Sequence, residues 1–220
     1  MKIGWSNLRM ARMNFKTAVP VGRRSHAQRR EEAIEKLLEA AVACVAERGL
    51  EGFTLADVGK RAGVSRSLAN YHFGDKDGLV DQLVDWLFES HGLGAIASQK
   101  ARGLQPLLDA VAAYLDNLVA EPVACRALAI LQGYGLSDER IASKLRALSA
   151  RAVADIESHL RAGLDKGEVN GAVHAKNDAV LILASLRAAV CAFLLQPDVM
   201  SVEELRMAFL GSLQRSLEGH

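Results

Sequence analysis

Residues 54–79 read T-L-A-D-V-G-K-R-A-G-V-S-R-S-L-A-N-Y-H-F-G-D-K-D-G-L, and they decide how the rest of the chain is understood. Thr54 stands where a helix would start, and Asp57, three residues on, can reach back to it as an approximate capping box. Leu55, Val58 and Ala62 share one face of that short helix. Gly63 breaks the pattern and can take the left-handed backbone that other residues avoid. Ser65 then caps a second helix, with Ala69 and Phe73 on its inner side. Helix, tight glycine turn, helix is the pattern of a helix-turn-helix module. Arg66, Ser67, Leu68 and Asn70 fall on the other face of the second helix, where a DNA major groove would lie.

The string A-G-V-S-R-S-L-A-N-Y-H-F-G-D-K-D-G-L resembles the DNA-binding domain of TetR-type (TetR/AcrR) transcriptional regulators. Ala62-Gly63-Val64-Ser65, Tyr71-His72-Phe73, and Lys76 followed by Leu79 carry the resemblance, which runs upstream through Phe53-Thr54 to a helix near Arg29. The chain departs from the family pattern at Leu68, where Thr is frequent, and at Asn70, where Tyr is frequent. Both are base-reading positions, so the departures bear on which operator is read. The resemblance implies an all-α protein: an N-terminal three-helix helix-turn-helix domain and a C-terminal helical bundle for ligand binding and dimerisation.

Composition agrees with that class. The chain has 220 residues, 50% of them apolar and 24% charged, with four prolines and three tyrosines. Abundant Ala and Leu favour helices. No apolar run is expected to reach the roughly 20 residues of a membrane span; Val180–Leu195 comes nearest and contains Arg187. Cys44, Cys125 and Cys191 are odd in number and far apart, as reduced thiols in a cytoplasmic protein would be. The net charge of +1 conceals an asymmetry: residues 1–30 hold eight bases and no acid, which leaves −7 on the remainder. Two readings of this start are open, an inert flexible segment and a basic arm, residues 1–24, lying on phosphates or in a minor groove. Residues 24–80 balance nine bases with nine acids, which makes the arm more consequential for a polyanion.

Helical periodicity continues along the chain. Arg29–Arg48 is a first helix, and Phe53 plugs the small core of the domain. Lys76–Ser90 is a fourth helix, with Asp77, Asp81 and Asp85 on what is expected to be a solvated face. The domain boundary is expected near residue 90, giving a head over 25–90 and a second domain over 91–220. Pro106 opens the next helix, which runs to Glu121. Val123–Gln132 is apolar on most sides and is expected in the middle of the bundle, interrupted by Gly133-Tyr134-Gly135. A long helix follows from Ser137 to about Leu164, seamed by Ile141, Leu145, Leu148, Ala152, Ile156 and Leu160. Asp155 and His159, one turn apart on it, are expected to be a surface pair and not a metal site. The last two helices, Asp178–Leu195 and Ser201–Leu217, carry more apolar surface than one bundle face needs. In the family this pair forms a four-helix homodimer interface; the alternative is that both faces are buried within the monomer.

In an N-terminal recognition turn, Arg66 suits a guanine, Asn70 an adenine and Leu68 a thymine methyl, while Ser67 is permissive; the alternative for Leu68 is that it turns partly into the core. The resemblance places phosphate contacts at Thr54, Tyr71, His72 and Lys76, with Ser65 at the head of the recognition helix; Lys60 and Arg61 could add charge. For a small-molecule effector, the candidate lining is Trp86, Tyr114, Cys125, Gln132, Tyr134 and Arg187, each with a plain packing role as the alternative. Phosphate-loop, dinucleotide, zinc and serine-hydrolase motifs do not occur, so no enzyme, metal or cofactor is expected. The expectation is a dimeric, ligand-responsive DNA-binding regulator, a repressor on a palindromic operator. The alternative is a helical small-molecule-binding or protein-interaction module without specific operator binding. Deleting residues 1–24 should lower the slope of log affinity for DNA against log salt by roughly 0.9 for each phosphate that the arm neutralises. An unchanged slope takes the arm out of the interface.

Overall fold

A computed structural model describes residues 26–92 and 101–218; the basic start over 1–24 lies outside them. The regular elements among the described residues are all helices, with no strand among them. They fall into two compact units that meet between Ser90 and His91.

The first unit holds four helices: α1 (His26–Arg48), α2 (Leu55–Ala62), α3 (Arg66–Phe73) and α4 (Lys76–His91). Leu37, Leu38, Ala41 and Val45 of α1 are fully buried, as are Val58 of α2 and Ala69 of α3. α2 packs on both α1 and α3. Phe53 is 3% exposed, in line with its expected place in this small core. Asp81 and Asp85 of α4 are half-buried, and only Asp77 of that series faces solvent.

The second unit holds five: α5 (Leu104–Ala120), α6 (Pro122–Tyr134), α7 (Glu139–Asp165), α8 (Ala175–Leu195) and α9 (Val202–Glu218). α5 and α8 each touch the other four, and α5 buries the most side chains of this unit, nine. The expectation that α6 would occupy the middle is corrected. α6 buries Ala124, Cys125, Ala127, Leu128 and Leu131, but Val123 and Arg126 face outward. It also continues through Gly133 to Tyr134, because an isolated helical glycine costs only about 1 kcal/mol. The seam of α7 is tight at its ends and open in the middle: Ile141, Ala152, Ile156 and Leu160 are buried, whereas Leu145 and Leu148 are half-buried.

α8 begins at Ala175, three residues before the expected Asp178, because His174 caps it by accepting from the Asn177 amide. Its full 21 residues include an 18-residue window of mean hydropathy 2.1. The helix is therefore long and apolar enough to cross a membrane, contrary to the expectation from the sequence. In the bundle it buries Ala179, Ile182, Leu183, Leu186 and Val190 on one side and exposes Val180, Leu181 and Leu195 on the other. α9 starts with the expected box, in which the Ser201 amide and hydroxyl both donate to Glu204.

The Asp155–His159 pair is not on the surface. His159 is 2% exposed, and its Nδ1 donates to the Gly103 carbonyl at 3.3 Å, since a carbonyl can only accept. Arg102 binds Asp155 at 3.1 Å, Glu168 accepts from the Leu104 amide at 3.0 Å, and Lys166 donates to the Arg102 carbonyl at 2.6 Å. These contacts clamp the start of α5 to the C-terminal end of α7. His159 Nε2 lies 3.9 Å from Asp155, too far for a strong pair, and burial dominates both groups. Burial holds the imidazole below its ordinary 6.5, with Asp155 opposing, and raises the Asp155 carboxyl against the pull of Arg102.

A lowered histidine pKa means that the unfolded chain takes up the proton first. The neutral His159 therefore supports the bundle fully above about pH 6.5, and that support is lost as the pH falls toward its folded value. Thermal unfolding of the bundle followed from about pH 7.5 down to 5.5 should show stability falling by at most ~1.4 kcal/mol per pH unit from this group. His159→Gln should flatten that part of the profile; an unaltered profile would mean the imidazole is not titrating in the clamp.

Candidate nucleic-acid interface

The site is built by three short-range devices in the first unit. Thr54 caps α2: its hydroxyl accepts from the Asp57 amide at 3.2 Å, while its own amide and hydroxyl donate to the Asp57 carboxylate at 2.8 and 2.7 Å. These bonds hold the Asp57 carboxyl below the usual range. Gly63 then ends α2 at φ +69°, where a side chain is strained. The Gly63 amide donates to Lys60 and the Val64 amide to Gly59, a Schellman turn. Finally Ser65 caps α3 by accepting from the Leu68 amide at 3.2 Å. The chain thus leaves one helix and enters the next with both open ends bonded.

Ala69 and Phe73 anchor α3 to the core, which turns its other face outward. Arg66, Ser67 and Asn70 are exposed there, and Leu68 is half-buried, so the leucine lies partly against the protein. Tyr71 is 75% exposed. Beside this face is a cleft of about 350 Å³ whose lining includes Thr54, Ala56, Arg66, Asn70, Asp75 and Lys76. The N-terminal turns of α2 and α4 both open onto it, and helix N-termini favour anions. The Lys76 ammonium sits over the Phe53 ring, 4.9 Å from its centroid. α4 can approach this closely because residue 78 is glycine: a Cβ there would lie 2.1 Å from the Phe73 carbonyl.

Three residues differ from what the sequence implies. The one proton of the Thr54 hydroxyl is already directed at Asp57, so Thr54 shapes the helix end instead of donating outward. His72 is half-buried, with Nδ1 enclosed and without a hydrogen-bond partner. Burial, and then Arg30, hold its pKa below 6.5, so the ring is neutral at pH 7. Arg61 makes a two-pronged bond to Glu47 of α1, both distances 2.7 Å, so its charge is paired within the domain. Asp75 is a site residue that the sequence reading misses. Its carboxylate accepts from the Gly78 amide at 2.9 Å and caps α4 next to Lys76. An acid three residues ahead of a glycine at a helix start is the signal that could have found it.

The effector candidates do not form one group. Trp86 is buried on α4, in the first unit, while the other five lie in the second. Cys125 and Arg187 are each near enough to act on Tyr114. Burial pushes the Tyr114 phenol up to about 12, with Cys125 adding to and Arg187 opposing the shift. Burial likewise takes the Cys125 thiol to about 11 and lowers Arg187. Arg187 also donates to the Ser149 hydroxyl at 3.0 Å. Gln132 and Tyr134 are half-buried at the end of α6.

Residues 37–83 match the family model described as bacterial regulatory proteins, tetR family. The HTH-type transcriptional regulator CymR of Pseudomonas putida is 35% identical over 95 residues, 43% of this chain and 46% of CymR. The HTH-type transcriptional regulator TtgR, also of Pseudomonas putida, is 40% identical over 81 residues, 36% of this chain and 39% of TtgR. The match thus spans less than half the length of these relatives. Solved structures carry the likeness further as a likeness of fold. A transcriptional regulator from Rhodococcus sp. Rha1 aligns with TM-score 0.69 at 23% identity, covering 85% of this chain and 98% of the other. FadR from Bacillus subtilis, in complex with stearoyl-CoA, aligns with TM-score 0.68 at 17% identity, covering 83% and 98%.

Ser65→Ala removes the cap of α3 and should destabilise the first unit by about 0.5–2 kcal/mol. Urea unfolding followed by a probe in this unit measures it. A midpoint equal to that of the parent chain would show that the hydroxyl does not hold the helix end.

Proposed function

The N-terminal unit is a TetR-family DNA-binding domain, and from that premise we propose that the whole chain is a ligand-responsive transcriptional regulator, a repressor that binds a palindromic operator as a homodimer in the cytoplasm. The family is one of transcriptional regulators, not of enzymes. The observation that carries the reading is the pairing of Arg66 and Asn70, both exposed, with a cleft where two helix N-termini and Lys76 converge. Arg66 reads guanine N7 and O6 bidentately, and Asn70 reads adenine N6 and N7. Leu68, half-buried, presents only part of its side chain to a thymine methyl. Phosphates are met by Tyr71, Lys76 and the α2 N-terminus, with His72 contributing as a neutral ring.

Dimerisation through α8 and α9, over Asp178–Leu195 and Ser201–Leu217, is supported by apolar residues left uncovered in one copy. Leu181 is 61% exposed and Met207 58%. Two heads on one duplex need to sit about one turn, roughly 34 Å, or a multiple of it apart. An effector in the bundle that favours another head separation lowers DNA affinity by linkage. Tyr114, Cys125 and Arg187 are the residues we assign to that effector, and FadR, similar in fold, in complex with stearoyl-CoA supports a ligand-responsive chain.

Selection of duplexes from a random pool, followed by binding titrations, tests the reading. A palindrome should emerge. Arg66→Ala and Asn70→Ala should each cost about 1–3 kcal/mol of binding and relax the preference at one base of each half-site. Leu181→Glu should give a folded monomer with much weaker operator affinity. Weak, sequence-blind binding by the parent chain would favour a helical interaction module, and a parent chain that is monomeric in solution would remove the dimer.

A further inference from the structure

We propose that Phe53 is a positioning residue for the DNA backbone: the face of its buried ring holds the Lys76 ammonium at the rim of the cleft shared with Arg66 and Asn70. This rests on the reading of α3 as the DNA-facing helix. Three observations carry it. Lys76 Nζ lies 4.9 Å from the ring centroid, inside the range where a cation is attracted to a ring face. Phe53 is 3% exposed, so the ring cannot follow the lysine and acts as a fixed seat. Lys76 is the first residue of α4 and lines the cleft, so its backbone is fixed as well.

The seat matters because lysine is otherwise the loosest of cations. Ordering four methylenes onto a phosphate costs rotamer entropy at the moment of binding. A ring face orders them beforehand without taking up any of the three N–H donors, which stay available for phosphate oxygens. The obvious competitor is Asp75, next in sequence and in the same cleft. Its Oδ1 is drawn to the Gly78 amide at 2.9 Å, capping α4. The carboxylate therefore serves the helix end, and the ring serves the ammonium.

The test uses the full chain, a selected duplex and four variants: Phe53→Leu, Phe53→Tyr, Lys76→Gln and the double Phe53→Leu/Lys76→Gln. All are compared at a temperature where circular dichroism shows equal helix content. Lysine-labelled protein without DNA should show the Lys76 side-chain methylene protons shifted upfield by the ring, in the parent chain and in Phe53→Tyr but not in Phe53→Leu. Phe53→Leu should weaken binding about two- to fivefold per head, Phe53→Tyr should restore it, and the leucine should cost nothing further once Lys76 is Gln. Unshifted Lys76 protons in the parent chain overturn the proposal at its geometry. An upfield shift with an equal leucine cost in both backgrounds overturns the positioning role while leaving DNA binding intact. A parent chain that binds no duplex selectively overturns the role together with the reading beneath it, even where the upfield shift is seen.

Discussion

The turn at Gly63 is the constraint on which the rest depends. A left-handed residue at φ +69° reverses the chain in two residues, and the Schellman bonds from Gly63 and Val64 close the end of α2 as it does so. With Thr54 and Ser65 capping the two helix starts, the α2–α3 angle is fixed by local chemistry before any long-range packing is added. Ala69 and Phe73 then settle the rotation of α3 about its own axis, because they are the side chains that must be buried. The outward face is what remains, and it carries Arg66 and Asn70. The exposure of Arg66 and Asn70 follows from a turn that only glycine adopts without strain.

The surroundings of α3 show how acids are placed within residues 24–80, where nine acids stand against nine bases. Glu47 is bound to Arg61, Asp57 to Thr54, and Asp75 to an α4 amide. Each carboxylate has an internal partner, two of them at helix N-termini where negative charge is favoured. Lys76 keeps its donors clear of the neighbouring carboxylate. The bundle is organised differently, around an apolar α5 whose start is clamped by one buried histidine, two acids, an arginine and a lysine.

Local features are legible in the sequence, and features set by distant partners are not. Thr54 with Asp57, Ser201 with Glu204, and Gly63 followed by Ser65 are contacts within three residues, and each is where the sequence places it. Helix types and approximate ends are legible for the same reason, since 3.6-residue periodicity is a local signal. Burial of a particular face is not. Val123–Gln132 reads as apolar on most sides, yet α6 buries five side chains where α5 buries nine, a difference set by which helices pack on each. Asp155 and His159 look like any surface i, i+4 pair until Gly103, more than fifty residues earlier, is brought against them. Arg61 looks like a free cation until Glu47, fourteen residues away, grips it. Val180–Leu195 of α8 reads as short of membrane length and contains Arg187, whereas the whole helix, Ala175–Leu195, holds an 18-residue window of mean hydropathy 2.1.

Chemical interference on a selected duplex bears most directly on the central claim, that α3 enters a major groove twice under twofold symmetry. Methylation of guanine N7 marks that groove alone. The account predicts interference at guanines in two clusters, on one face of the duplex, centred about 10 base pairs or a multiple of that apart. Binding indifferent to N7 methylation, or interference confined to a single cluster, would contradict it.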